Sequence, residues 1–156
     1  MIEAKLPETD IIDWNECEEK FIRKVDVDLE RIKSIVKKAK DRLGRARNTE
    51  EKPENISFIV EDYYEVIKEM LVAYLLKNGL RARNHQCLIS FFYKSNPGYE
   101  KEAYIITQLS FFRNRLDYYG EDVPKEFLEK NKKEFERIIE IIENILKENE
   151  NTKHEK

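Results

Sequence analysis

Apolar residues recur at alternating spacings of three and four along most of this chain, and this helical period is the strongest constraint on its fold. The stripes cover residues 22–43, 56–75 and 128–146. Only four glycines and four prolines occur in 156 residues, which is too little turn chemistry for an all-β protein. The sequence therefore predicts an all-α fold, an up-and-down helical bundle of four long helices plus one short helix.

Capping and turn residues predict where these helices begin and end. We expect a single domain over residues 1–156 that is frayed at 1–9 and 148–156, with a polar linker at 44–55. The first helix is expected to be unbroken. The five helices are predicted at about 10–43, 56–78, 85–93, 100–119 and 123–147.

Acidic and basic residues nearly balance, with 32 of the former and 29 of the latter, so no global field attracts nucleic acid. Residues 33–47 are the local exception, because Asp41 is their sole acid among many lysines and arginines. One interpretation is a surface that binds the phosphates of a nucleic-acid backbone. The other, favoured by the acidic net charge, is a solvated helix end whose cations offset the helix dipole.

The two cysteines, Cys17 and Cys87, lie far apart in apolar segments. Without a CxxC pair or a Cys/His cluster, they indicate neither a zinc site nor a disulfide framework. We predict two buried free thiols and a reducing compartment. Residues 1–10 lack a signal-peptide pattern, and no apolar run is long enough to span a membrane. These features predict a cytoplasmic protein with no membrane association.

No motif for a metal or a cofactor is present. The sequence contains no glycine-rich phosphate loop and no zinc-protease helix motif, and two histidines are too few for a histidine-based metal cluster. We therefore predict neither metal nor cofactor.

A polar cluster ends the apolar stretch 105–120, which reads I-I-T-Q-L-S-F-F-R-N-R-L-D-Y-Y-G. Asn114 and Tyr118 are four residues apart and share a helix face, as do Arg113 and Asp117. The second pair is interpretable as a weak surface ion pair. The alternative is a surface of arginine, asparagine and tyrosine that binds an anion and a base.

Three segments in a fixed order resemble the HEPN family (higher eukaryotes and prokaryotes nucleotide-binding). They are residues 63–80, residues 83–92, and F-F-R-N-R-L-D-Y-Y-G with the long helix that follows. The resemblance covers roughly residues 56–146. It implies a HEPN-like helical bundle, a homodimer, and nucleotide or RNA as ligand.

The resemblance also implies a site, because the family signature is R-x(4–6)-H and its catalytic members cleave RNA without metal across a dimer. Arg113 and Asn114 match the start of this signature. Tyr118, Tyr119 and Gly120 occupy the histidine positions. A tyrosine with a pKa of about 10 transfers protons poorly at neutral pH, so we expect binding ahead of catalysis, with Tyr118 donating a hydrogen bond or stacking on a base.

His85 is a candidate substitute from another helix. If the third and fourth helices pair antiparallel about Pro97, His85 lies opposite Leu109, about one turn or ~5–6 Å along the axis from Arg113. The alternative is a capping or core-edge histidine, since a lone histidine is seldom catalytic without an orienting partner.

Three functional hypotheses follow from these residues and from the resemblance. The first is a homodimeric nucleotide- or RNA-binding or partner-docking module, the HEPN member of a toxin–antitoxin pair with a nucleotidyltransferase. The second is a metal-independent RNA endonuclease that acts at a dimer interface through Arg113. The third is a purely structural dimerisation protein.

Overall fold

The computed structural model describes residues 11–154, with the side chains of 11–116 and 120–148, and these residues form six helices and one small sheet. The predicted all-α bundle is confirmed, and its four long helices are α2, α3, α5 and α6. In chain order the elements are α1 (Trp14–Lys20), β1 (Ile22–Lys24), α2 (Leu29–Asn48), α3 (Ile56–Lys77), β2 (Leu80–Ala82), α4 (Gln86–Ser95), α5 (Glu100–Tyr119) and α6 (Lys125–His154).

The prediction of one unbroken first helix is wrong, because α1 and α2 are separate helices joined through strand β1. β1 pairs antiparallel with β2, with Arg23 opposite Arg81. The Val25 N–H extends this pairing by donating to the Gly79 carbonyl at 2.9 Å. A new helix then starts after Asp28, whose carboxylate accepts from the N–H of Arg31 at 3.1 Å, a normal N-cap bond.

The predicted linker at 44–55 is too long, because α2 continues through Gly44 to Asn48. A short 3-10 turn, Pro53–Asn55, then leads into α3. Two ion pairs fasten this end of α2 to α3. Arg45 binds Asp62 at 2.6 and 3.0 Å, and Arg42 donates to Glu69 at 3.0 Å. These contacts between helices outweigh the helix-weakening effect of Gly44.

Helix α3 lies at the centre and contacts α2, α4, α5, α6 and β2. Its side chains Tyr63, Ile67 and Met70 are fully buried and belong to the hydrophobic core. The Tyr63 hydroxyl donates to Glu136 of α6 at 2.7 Å. Burial and this carboxylate raise the pKa of Tyr63.

Local chemistry fixes the end of α3, the start of α4 and the end of α5, each within one residue of its predicted position. Gly79 and Gly120 both adopt the left-handed conformation, with φ of 72° and 64°, which glycine tolerates best. The Asn84 side chain accepts from the N–H of Gln86 at 2.9 Å at the start of α4. Helix α6 extends to His154, and the fraying of 148–156 stays a prediction. Residues 1–9 lie outside the described part of the chain.

The prediction of two free buried thiols is wrong, because Cys17 and Cys87 form a disulfide. Helix α1 packs on α4 and brings the two Cα atoms to 5.7 Å, within the range a disulfide spans. Since 70 residues separate the cysteines, their spacing in the sequence carried no sign of this pairing. The prediction of a reducing compartment rested on free thiols, and the disulfide removes that support.

Over residues 11–154, none of the helices combines the length and the apolar character needed to cross a membrane.

Candidate functional site

The side chain of Arg113 leaves α5 toward the central helix α3. Its Nη2 lies 3.4 Å from Glu65 Oε1, and its guanidinium carbon lies 5.6 Å from the centre of the Tyr64 ring. The side chain keeps 24% of its surface exposed. Arg113 is thus held over an aromatic face beside a carboxylate and remains accessible to a ligand.

Lys68 of α3 binds the same carboxylate. Its Nζ lies 2.7 Å from Glu65 Oε2, one turn along α3. The three side chains are only partly exposed, so water screens their charges less than at an open surface. Two cations around one carboxylate leave this cluster with a net positive charge.

His85 stands beside this cluster, at the N-terminal end of α4. The adjacent Gln86 donates from Nε2 to Ser110 Oγ at 3.1 Å, which confirms the predicted pairing of α4 with α5. Ser110 lies one turn before Arg113 and also hydrogen-bonds with Tyr64. The N-terminal end of α4 therefore lies one turn from Arg113 along α5, as the sequence predicted for His85.

The charges of the cluster act on the His85 imidazole. Partial burial lowers the pKa of His85, Lys68 and Arg113 lower it further, and Glu65 opposes them. The ring is therefore neutral at pH 7 and can accept a proton. Burial likewise raises the pKa of Tyr64, against the influence of Ser110 and Arg113, so Tyr64 stays a neutral phenol.

The structure brings together two of the four predicted site residues, Arg113 and His85. Asn114 is half-buried and follows Arg113 on α5. Tyr118 lies in α5, but its side chain is outside the described part of the structure, as is that of Asp117. The proposed roles of Tyr118 and of an Arg113–Asp117 ion pair therefore stay predictions.

The sequence reasoning missed Glu65 and Lys68, which complete the cluster from α3. A signal was present, because these two opposite charges lie three residues apart on one helix and so share a face. Which neighbour that face meets depends on the packing of α3 against α5. Spacing within one helix does not reveal such a contact.

The basic run of α2 is largely neutralised by carboxylates. Its ion pairs are Lys37–Asp41, Lys40–Glu143, Arg42–Glu69, Arg45–Asp62 and Arg47–Glu136. These pairs favour the interpretation of 33–47 as a solvated, salt-bridged face over a surface that follows phosphates. Among the described residues, no group of three or more histidine, cysteine, aspartate or glutamate side chains is placed to hold a metal ion.

Comparison with known proteins gives one match. Residues 32–152 match the family model described as the HEPN domain. Neither the curated proteins nor the solved structures contain a match to this chain.

Proposed function

This chain belongs to the HEPN domain family, and we propose that it binds a nucleotide or RNA through the cluster of Arg113, Lys68, Glu65 and His85. Family membership supports a nucleotide- or RNA-related function in general. The observation that carries the specific proposal is the convergence of Arg113 and Lys68 on one carboxylate at a partly exposed site. Phosphate is the anion that such a pair of cations suits best.

The contact distances support recruitment of a phosphate. A strong charge-assisted bond between nitrogen and oxygen measures about 2.7–2.9 Å. Arg113 lies 3.4 Å from Glu65, whereas Lys68 lies at 2.7 Å. At Glu65, a phosphate that approaches Arg113 therefore competes with a long contact, and the shorter contact from Lys68 keeps this carboxylate partly neutralised.

A metal-independent ribonuclease is the second candidate, and the position of His85 favours it. The neutral imidazole beside Arg113 can remove a proton from a ribose hydroxyl, while Arg113 stabilises charge on the phosphate. In this role His85 would replace the histidine of the family signature, which lies on the same helix as the arginine. The homodimer, the toxin–antitoxin partnership with a nucleotidyltransferase and the cytoplasmic location stay predictions.

Arg113→Ala tests the binding proposal against Arg115→Ala as a matched control. Arg115 leaves the same helix, carries the same charge and pairs with Glu121 at 2.5 and 2.6 Å. Titration with nucleotides and with short RNA should show at least about tenfold weaker binding for Arg113→Ala. Arg115→Ala should stay within about twofold of the unmodified chain.

Equal losses in the two variants would show that binding depends on overall charge and would refute the site. The ribonuclease candidate is tested by incubating the same variants, and His85→Ala, with structured RNA. Cleavage by the unmodified chain that disappears in both Arg113→Ala and His85→Ala supports it. Cleavage that persists in His85→Ala removes His85 as the base, and no cleavage by the unmodified chain removes the ribonuclease.

A further inference from the structure

A cleft of about 420 Å³ opens next to His85. Its volume lies within the ~300–1,000 Å³ typical of small-ligand sites. The cleft is bounded by the second half of α3, the start of α4, strand β2, the segment between β1 and α2, and the first half of α2. Its apolar walls are formed by Val25, Ile35, Val72, Leu75, Leu76, Leu80 and Leu88.

One face of α3 connects the cleft to the cation cluster. Glu65, Lys68, Val72 and Leu76 follow one another at spacings of three and four, so they line one side of the helix. Val72 and Leu76 belong to the cleft, whereas Glu65 and Lys68 belong to the cluster. The rise from Lys68 to Val72 is about 6 Å.

His85 joins the two parts from a second helix. It lines the cleft, and its imidazole also interacts with Lys68, Glu65 and Arg113. The cleft and the cluster are therefore two ends of one continuous surface, cationic at the Arg113 end and apolar at the Val72 end.

We propose that this surface binds a single nucleoside phosphate, with its phosphate at Arg113 and Lys68 and its base in the cleft between Val72, Leu76 and Ile35. This inference rests on the proposed function of the Arg113 cluster and adds to it a separate subsite for the base. Aliphatic side chains cover the apolar faces of a base.

Charged side chains at the far rim of the cleft supply the polar contacts that a nucleoside needs. Arg31 and Arg81 bring donors, and Asp26 brings acceptors, for the edge of the base and the ribose hydroxyls. The Asp28 carboxylate lines the same rim but caps α2 through the N–H of Arg31. A purely apolar ligand would make no use of Arg113, and an RNA backbone without an inserted base would leave the aliphatic walls open to water.

The same nucleoside phosphate has two sources, a free nucleotide and the 5′ end of an RNA. The experiment titrates the full chain with the four ribonucleoside 5′-monophosphates, with ribose 5-phosphate and with inorganic phosphate. A hexaribonucleotide with and without a 5′-phosphate forms the second arm. Preference for the 5′-phosphorylated hexamer over every mononucleotide identifies the RNA end, and the reverse order identifies the free nucleotide. Either result supports the base subsite only when ribose 5-phosphate binds more weakly than the preferred ligand.

Val72→Phe tests the subsite because the larger ring fills the cleft without removing a charge. Val36→Phe is the matched control, since Val36 is also a half-buried valine and lines a different groove, between α2 and α6. We expect Val72→Phe to weaken binding of the preferred nucleotide by at least about tenfold. It should leave the affinity for inorganic phosphate within about twofold, and Val36→Phe should change neither. Thermal unfolding of both variants checks that they remain folded.

The base subsite is overturned if ribose 5-phosphate binds as tightly as every nucleotide, or if Val72→Phe has no more effect than Val36→Phe. If phosphate binding still depends on Arg113 in that case, the proposed function stands and only the base subsite fails. If the unmodified chain binds none of the phosphates, the proposed function itself fails.

Discussion

Replacement of Glu65 by glutamine should lower the stability of the fold and raise its affinity for phosphate. The Glu65 carboxylate lies 2.7 Å from Lys68 Nζ and 3.4 Å from Arg113 Nη2, and 16% of the side chain is exposed. Glutamine keeps the shape of the side chain but removes the charge that attracts both cations. The same charge repels an incoming anion, so its removal acts on stability and on binding with opposite sign.

The size of both effects follows from Coulomb's law. Unit charges 4 Å apart interact by about 4 kcal/mol at an effective dielectric constant of ~20. Desolvation and partial exposure offset most of this, which leaves a loss of about 1–2 kcal/mol in the free energy of unfolding. A phosphate dianion at an assumed ~8 Å from Glu65, with a dielectric constant of ~40–80, gains about 1–2 kcal/mol, or roughly fivefold to thirtyfold in affinity.

Calorimetry measures both quantities, by thermal scanning for stability and by titration with inorganic phosphate for affinity. Glu69→Gln is the matched control, since Glu69 lies one turn further along α3, is 19% exposed and pairs with Arg42 at 3.0 Å. It should lose similar stability with unchanged phosphate affinity. If Glu65→Gln gains no affinity relative to Glu69→Gln, the Arg113 cluster is a structural ion pair and the binding argument is refuted.

Three further perturbations test other parts of the structure. Replacing Cys17 by serine should lower the free energy of unfolding by up to about 4 kcal/mol, as measured by urea denaturation, because the disulfide closes a long loop. In the same assay Gly79→Ala should cost about 1–3 kcal/mol and more than Gly120→Ala. Both glycines have positive φ, but only at position 79 would the added Cβ meet an atom, the Val25 carbonyl oxygen at 3.3 Å. The groups that act on His85 are Lys68, Glu65 and Arg113. Since burial and the two cations hold the pKa of His85 below its ordinary value of 6.5, a bound phosphate should raise it. Binding measured by titration should therefore tighten, relative to that of His85→Gln, as pH falls through this ordinary value and below it. In the variant His85→Gln, the affinity should change with pH only through the titration of the phosphate itself. An equal pH dependence of the affinity in the variant and in the unmodified chain would contradict the prediction.

Helix ends determined by local chemistry were predictable from the sequence. Gly79, Gly120 and the Asn84 cap act within a few residues of themselves, and the structure places helix ends at each of them. The break between α1 and α2 has a different origin. The stretch around Ile22 carries a helical spacing, but its backbone pairs with residues near Arg81. This long-range pairing overrides the local period.

The candidate site was likewise predictable only in part from the sequence. The motif resemblance selected Arg113, and the pairing of two neighbouring helices brought His85 close to it. Glu65 and Lys68 come from α3. Strand β2 and helix α4 lie between α3 and the helix of Arg113 in the sequence. Their contribution depends on how α5 packs across α3. The disulfide between Cys17 and Cys87 was unpredictable for the same reason, since it joins helices that are distant in sequence.

Whether the cluster of a single chain can cleave RNA, or only bind it, depends on which of its side chains can accept and donate protons. Cleavage of RNA by general acid–base catalysis needs one group to accept a proton and another to donate one. Of the described side chains in the cluster, His85 is the one whose ordinary pKa lies near neutrality, and its lowered pKa keeps the ring unprotonated at neutral pH, so it can act as a base but not as an acid. Burial keeps Tyr64 a neutral phenol with a raised pKa, which makes it a poor acid. The described cluster of one chain therefore supports phosphate binding, and cleavage requires an acid from outside it.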